Sequence, residues 1–188
     1  MPHTRPDPYA RLPGLLSRDE LLALVGLELE AFNSLRRRNQ LPQRPPRELT
    51  PQEADARGWS PYSALALVVA LEMVDRYKLS RTRAAEIAAR VYVVQERWAD
   101  ISKTGLLLAD GNDPGFHVLF ASIDLPGVRV NKRRPDPTIA VGTLSEIAAE
   151  HPLATGIIAI SITRCAALMR QRAARGKIDL SEFWAPLR

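Results

Sequence analysis

Five arginines, Arg36, Arg37, Arg38, Arg44 and Arg47, fall within twelve residues of this chain, and Arg57 follows them. A guanidinium keeps its charge at every physiological pH and presents a planar fork of donors. That fork matches phosphate oxygens or the O6/N7 edge of guanine. Just ahead stand Asn33 and Ser34, and an asparagine amide pairs with adenine in the same two-point way. Asn33, Ser34, Arg36 and Arg37 are therefore candidates for contacts to base edges. Arg38, Arg44, Arg47 and Arg57 are candidates for holding a nucleic-acid backbone and setting register. Such residues recognise a ligand; they do not make or break bonds.

Groupings that would catalyse or ligate are missing from the sequence. There is no P-loop and no dinucleotide fingerprint. The run Asp110-Gly111-Asn112-Asp113-Pro114-Gly115 is rich in turn formers. Twelve positions from Asp110 fall on Ala121, where a calcium loop needs a bidentate glutamate, so a turn is expected there. His3, His117 and His151 are scattered, without partners at ligand spacing, and no metal or cofactor is expected. The single cysteine, Cys165, excludes an intrachain disulfide and reads as a small core residue. Asn131-Lys132-Arg133-Arg134 is a second basic cluster, read as a solvated hairpin end or a phosphate grip. Arg164, Arg170, Arg172 and Arg175 read as the solvated face of a helix.

The elements that must position the first cluster are legible. Ser17 and Glu20 have the spacing of a capping box, and Leu16 with Leu21 that of a hydrophobic staple, so a helix starts there. Gly26 ends it, since glycine tolerates the left-handed backbone of a sharp reversal. Ala31, Phe32 and Leu35 give an apolar edge to a second helix, Glu28–Arg38. Two short helices joined by a tight turn have the sequence shape of a helix-turn-helix. Ser60 and Pro61 then start a helix over Tyr62–Tyr77 that is apolar nearly all round, hence central to the core. After a break at Leu79–Thr82, a further helix runs from Ala84 to about Trp98 or Ile101.

In this order the segments Ser17–Pro42, Trp59-Ser60-Pro61, Tyr62–Tyr77 and Ala84–Val91 resemble the DNA-binding domain of MerR-like regulators, over about residues 15–95. The resemblance implies a winged helix-turn-helix whose second helix enters the major groove, a dimer facing a palindrome, and a carboxy-terminal sensor region. The chain departs from the family where it has Asn33, Ser34 and Leu35 in place of an arginine followed by aromatics. Glu28 and Glu30 stand at the start of the recognition helix. Pro42–Gly58 shows no strand alternation; Thr50-Pro51-Gln52-Glu53 is a capping box, so a short helix is expected to replace part of the wing.

The second half changes character. Phe116–Ile123 and Val128–Arg133 read as a hairpin about Pro126-Gly127, with Thr138–Val141 as a third strand. Thr143 and Glu146 start a short helix that His151-Pro152 ends. Residues 155–162 suit either a strand or a buried helix. A helix over Arg164–Arg175 follows, and Asp179 with Glu182 reads as the cap of a last turn. The expected fold class is α+β: a mainly helical amino-terminal winged-helix domain and a small α+β carboxy-terminal region. The expected organisation is a flexible arm at 1–14, the DNA-binding domain at 15–103, and a dimerisation or sensor region at 104–188. Whether that region packs on the first half is left open.

At 188 residues, 46% hydrophobic, the chain is long enough for one core or two small ones. A net charge of +5 and a pI near 9.8 permit nucleic-acid binding without requiring it; 22 arginines against 4 lysines also fit a coding bias. The first 14 residues hold four prolines and no apolar stretch of the kind that targets a chain to export. No run is long enough for a bilayer, so no membrane partner and a cytoplasmic location are expected. The leading expectation is a non-enzymatic, sequence-specific transcriptional regulator that binds double-stranded DNA as a homodimer, its effector unspecified. The alternative is a protein-interaction module on a winged-helix scaffold. A small-molecule or enzymatic role for residues 104–188 has no catalytic grouping behind it.

Overall fold

The computed structural model describes residues 15–42, 58–91, 117–122, 138–142, 144–150, 152 and 156–180. The helices are α1 (Arg18–Val25), α2 (Leu29–Arg37), α3 (Pro61–Tyr77), α4 (Arg81–Ala88), α5 (Leu144–Glu150) and α6 (Ile162–Gly176). The strands are β1 (His117–Ser122), β2 (Thr138–Gly142) and β3 (Gly156–Ser161). Helices dominate and a small sheet accompanies them, compatible with an α+β class.

Local chemistry accounts for most boundaries. Ser17 caps α1 reciprocally: its hydroxyl accepts from the Glu20 amide at 3.2 Å, while the Glu20 carboxylate accepts from the Ser17 amide at 2.7 Å. Such a cap is worth about 1 kcal/mol. Gly26, at φ 73°, ends α1 with its amide bonded to Leu22 O. The second helix is one residue shorter at each end than the sequence suggests, because Glu28 is its N-cap and Arg38 its C-cap. It closes through Asn39 at φ 54°, with the Gln40 amide reaching back to Leu35 O at 2.9 Å. Ser60 caps α3 through the Tyr62 amide, with Pro61 in the first turn. Ser80 caps α4, which begins at Arg81, inside the interval expected to be a break.

The sheet is antiparallel throughout, in the order β2-β1-β3. Phe120 lies opposite Ile139 on one side and Ile158 on the other. Within the ambiguous run at 155–162, Gly156–Ser161 is a strand, and Ser161 leads directly into α6 by accepting from the Arg164 amide at 3.2 Å. The helix expected to run from Ala84 to Trp98 or Ile101 ends instead at Ala88, with Ala89 as its C-cap. The rest of that expected helix beyond Val91 lies outside the described residues, as do the strand expected at Val128–Arg133, the arm expected at 1–14, the capping box expected at Thr50–Glu53 and the turn expected at Asp110–Gly115. Most of the last turn, including Glu182, also lies there.

One hydrophobic core joins these parts. It runs from Leu16, Leu24 and Phe32 through the buried length of α3 to Ile160, Met169 and Ala173. The apolar face of α6 packs against both α1 and α3, so the core crosses the sequence division at 103/104. At its carboxy end α3 also ties to the sheet, where the Tyr77 hydroxyl donates to Ala159 O at 3.0 Å. Among the described residues, no helix is long and apolar enough to cross a membrane.

Candidate nucleic-acid interface

The geometry of α2 follows from its two faces. Phe32 and Leu35 are buried and fix its inner face in the core. The Phe32 ring meets Trp59 edge-on, centroids 5.5 Å apart at 80°, an arrangement worth about 0.5–1.5 kcal/mol beyond its buried area. Trp59 is itself held by two backbone hydrogen bonds to Leu16, at 2.8 and 2.7 Å. This antiparallel bridge brings the chain ahead of α3 back beside the chain ahead of α1. Close approach there requires Gly58: at φ 107°, a Cβ would stand 2.7 Å from the Leu15 Cβ.

The outer face of α2 lines an open cleft of about 510 Å³, formed by Leu29, Glu30, Asn33, Arg36 and Arg37. These positions are one helical turn apart or adjacent on one side of the helix. Three of the expected site residues, Asn33, Arg36 and Arg37, therefore come together. Arg36 is half-buried and Arg37 exposed, and both lie in the last turn, where the negative end of the helix dipole favours cations. Arg38 is exposed just beyond the helix end. Ser34 is half-buried and not part of the cleft wall. Arg44, Arg47 and Arg57 lie outside the described residues.

Asn33 carries the most telling detail. Its Oδ1 is buried and has no hydrogen-bond partner among the described residues. An acceptor left in that state costs about 1–3 kcal/mol. The Asn33 side chain lines the cleft together with Arg36 and Arg37.

Two cleft residues, Leu29 and Glu30, were not among the expected contacts. Leu29 is 44% exposed, a large apolar side chain facing water. The signal was available: positions 29, 30, 33, 36 and 37 share one side of a helix. Of the two glutamates at the start of the recognition helix, Glu30 lines the cleft, whereas Glu28 is the N-cap and not part of the cleft wall.

A reading of α6 as carrying only solvated arginines needs correction. Arg164 and Arg175 are exposed, but Arg172 turns inward, and its Nη1 donates to Leu24 O at 3.0 Å and to Val25 O at 2.5 Å. Nothing in the local sequence marks this contact, since donor and acceptors are 148 and 147 positions apart.

Other chemistry is quiet. Cys165 is buried, and burial pushes its thiol up to about 12, with Glu72 adding to the rise and Arg76 and Arg172 opposing it. A neutral buried thiol is a poor nucleophile and a poor metal ligand. No cluster of His, Cys, Asp or Glu suited to a metal occurs among the described residues.

No protein-family model matches the chain, and no curated protein matches it. The outer face of α2 therefore has to speak for itself.

Proposed function

We propose that this chain is a sequence-specific DNA-binding transcriptional regulator of MerR-like type that acts as a homodimer. In this reading residues 15–103 form the winged helix-turn-helix domain, and 104–188 serve dimerisation or sensing. The observation that carries it is the division of α2 into an anchored inner face and a cleft-lining outer face bearing Asn33, Arg36 and Arg37. Three-residue separation of α1 from α2 and the Leu16–Trp59 bridge ahead of α3 support it further. In the bound state, Arg36 and Arg37 would pair with guanine edges and Asn33 with adenine. Arg38, Arg44, Arg47 and Arg57 would neutralise phosphates. Two copies related by a twofold axis would offer two α2 helices to a palindrome.

A second reading, a protein-interaction module, draws on the exposed Leu29 and on Glu30 in the same cleft. An apolar side chain beside mixed charges suits a protein partner better than a phosphate backbone.

Selection of bound fragments from genomic DNA at moderate salt separates the two. Wild type is run beside Asn33→Ala and Arg37→Ala. The DNA reading predicts a recurrent palindromic site whose recovery falls in both variants. Recovery of no common site, or equal recovery by all three proteins, would favour the protein partner.

A further inference from the structure

We propose that Arg172, far along the chain in α6, is a positioning residue that fixes the turn between α1 and α2 and so sets the presentation of the cleft. This rests on the reading of α2 as the DNA-facing helix for its consequence, though not for its geometry.

The carboxy end of α1 leads directly into this turn. A helix leaves its last carbonyls without intrahelical donors and gathers negative potential there. The Leu22 carbonyl accepts from both the Gly26 and Leu27 amides, at 2.8 and 3.1 Å. The last turn of α1 holds no basic residue of its own. The cation comes instead from α6: Arg172 Nη1 bonds the Leu24 and Val25 carbonyls together. One guanidinium thus supplies donors and positive charge to the helix end that leads into the turn.

Gly26 completes the fit. A Cβ at this position would stand 3.0 Å from Arg172 Cζ and Nη2, so the guanidinium lies against the bare glycine backbone. The positive φ of 73° also favours glycine. Only two residues, Leu27 and Glu28, separate Gly26 from the first residue of α2. A change of backbone angle at the end of α1 is therefore passed to α2 within a few ångströms. The inner face of α6, with Cys165, Ala166, Met169 and Ala173 buried, holds Arg172 against this turn. The carboxy-terminal helix is in this sense part of the helix-turn-helix.

The test uses the full-length protein with Arg172→Met, which keeps an apolar stem, and Arg172→Lys, which keeps the charge without the fork. Amide hydrogen exchange is read at Gly26, Leu27 and Phe32, with Leu65–Val69 in α3 as the internal reference. Expected in Arg172→Met is a loss of protection of about tenfold or more at the three turn amides beyond any change in α3, with Arg172→Lys intermediate. A loss shared equally by α3, or no loss at the turn, would overturn the positioning role. Should Arg172→Met fail to fold, Arg172→Lys gives the same reading at smaller amplitude. Binding to a duplex from the genomic selection is measured in parallel over a range of salt. Positioning predicts weaker binding by about tenfold with an unchanged salt slope, whereas Arg38→Ala lowers the slope by about one. A reduced slope in Arg172→Met would make Arg172 a phosphate contact and overturn the proposal. If wild type binds no DNA, the functional reading fails, and the exchange data still decide whether Arg172 holds the turn.

Discussion

Helices α2 and α6 are both amphipathic and both end in arginines, yet they place them in opposite ways. On α2, Arg36 and Arg37 face an open cleft while Phe32 and Leu35 hold the helix in the core. On α6, Arg172 lies along the packed side and binds the carbonyls that end α1. One helix turns charge toward an open cleft, and the other uses charge to hold backbone. A count of arginines, or a pI near 9.8, cannot tell these roles apart. The angular position of each arginine on its helix can, because it decides whether the guanidinium meets solvent or an orphan carbonyl.

The largest expected effect comes from removing what anchors α2. Phe32 is fully buried against Trp59, so Phe32→Ala should cost about 3–5 kcal/mol of stability by urea denaturation. A loss below about 1 kcal/mol would mean that the inner face of α2 is not held as described.

The next prediction sharpens the contrast between the two arginines. Arg172→Met should lower stability by about 1–3 kcal/mol, since it takes a charged donor from two carbonyls. Arg37→Ala, at an exposed position, should change stability by no more than about 0.5 kcal/mol. Equal costs in thermal unfolding would erase the distinction.

A pH-dependent effect concerns the thiol on the inner face of α6. In the folded chain Cys165 titrates near 12, against 9.0 for the free group. Between about pH 9 and 12 the unfolded chain has released this proton and the folded chain has not. Stability therefore falls as pH rises through that window, because the folded chain holds one proton more than the unfolded chain does. Cys165→Ala should flatten this part of the stability profile. An unchanged profile would place the thiol in contact with water.

Much of this architecture could be read from the sequence, and the reason is locality. The Ser17–Glu20 box, the Gly26 reversal and the Ser60-Pro61 start each involve partners within a few positions, so the pattern and the contact coincide. Gathering of Asn33, Arg36 and Arg37 follows from helical spacing alone. Leu29 and Glu30 could have been added by the same spacing. Residues 155–162 were ambiguous because a short β-branched run satisfies a strand and a buried helix equally. Pairing with β1, which lies far away in sequence, decides for the strand. Arg172 was read as solvated because its acceptors lie on α1, beyond the reach of any local pattern. The packing of α6 into the first core was invisible for the same reason.

The central claim is that the outer face of α2 reads DNA sequence. It is tested most directly by the ratio of affinities for a selected duplex and a scrambled one, measured for wild type and Arg37→Ala at a single fixed salt concentration. A bidentate contact to guanine is worth about 1–3 kcal/mol, so the account predicts that the ratio falls by roughly 5- to 150-fold in the variant, with the fold intact. A wild type that does not distinguish the two duplexes, or a ratio untouched by the substitution, would contradict it.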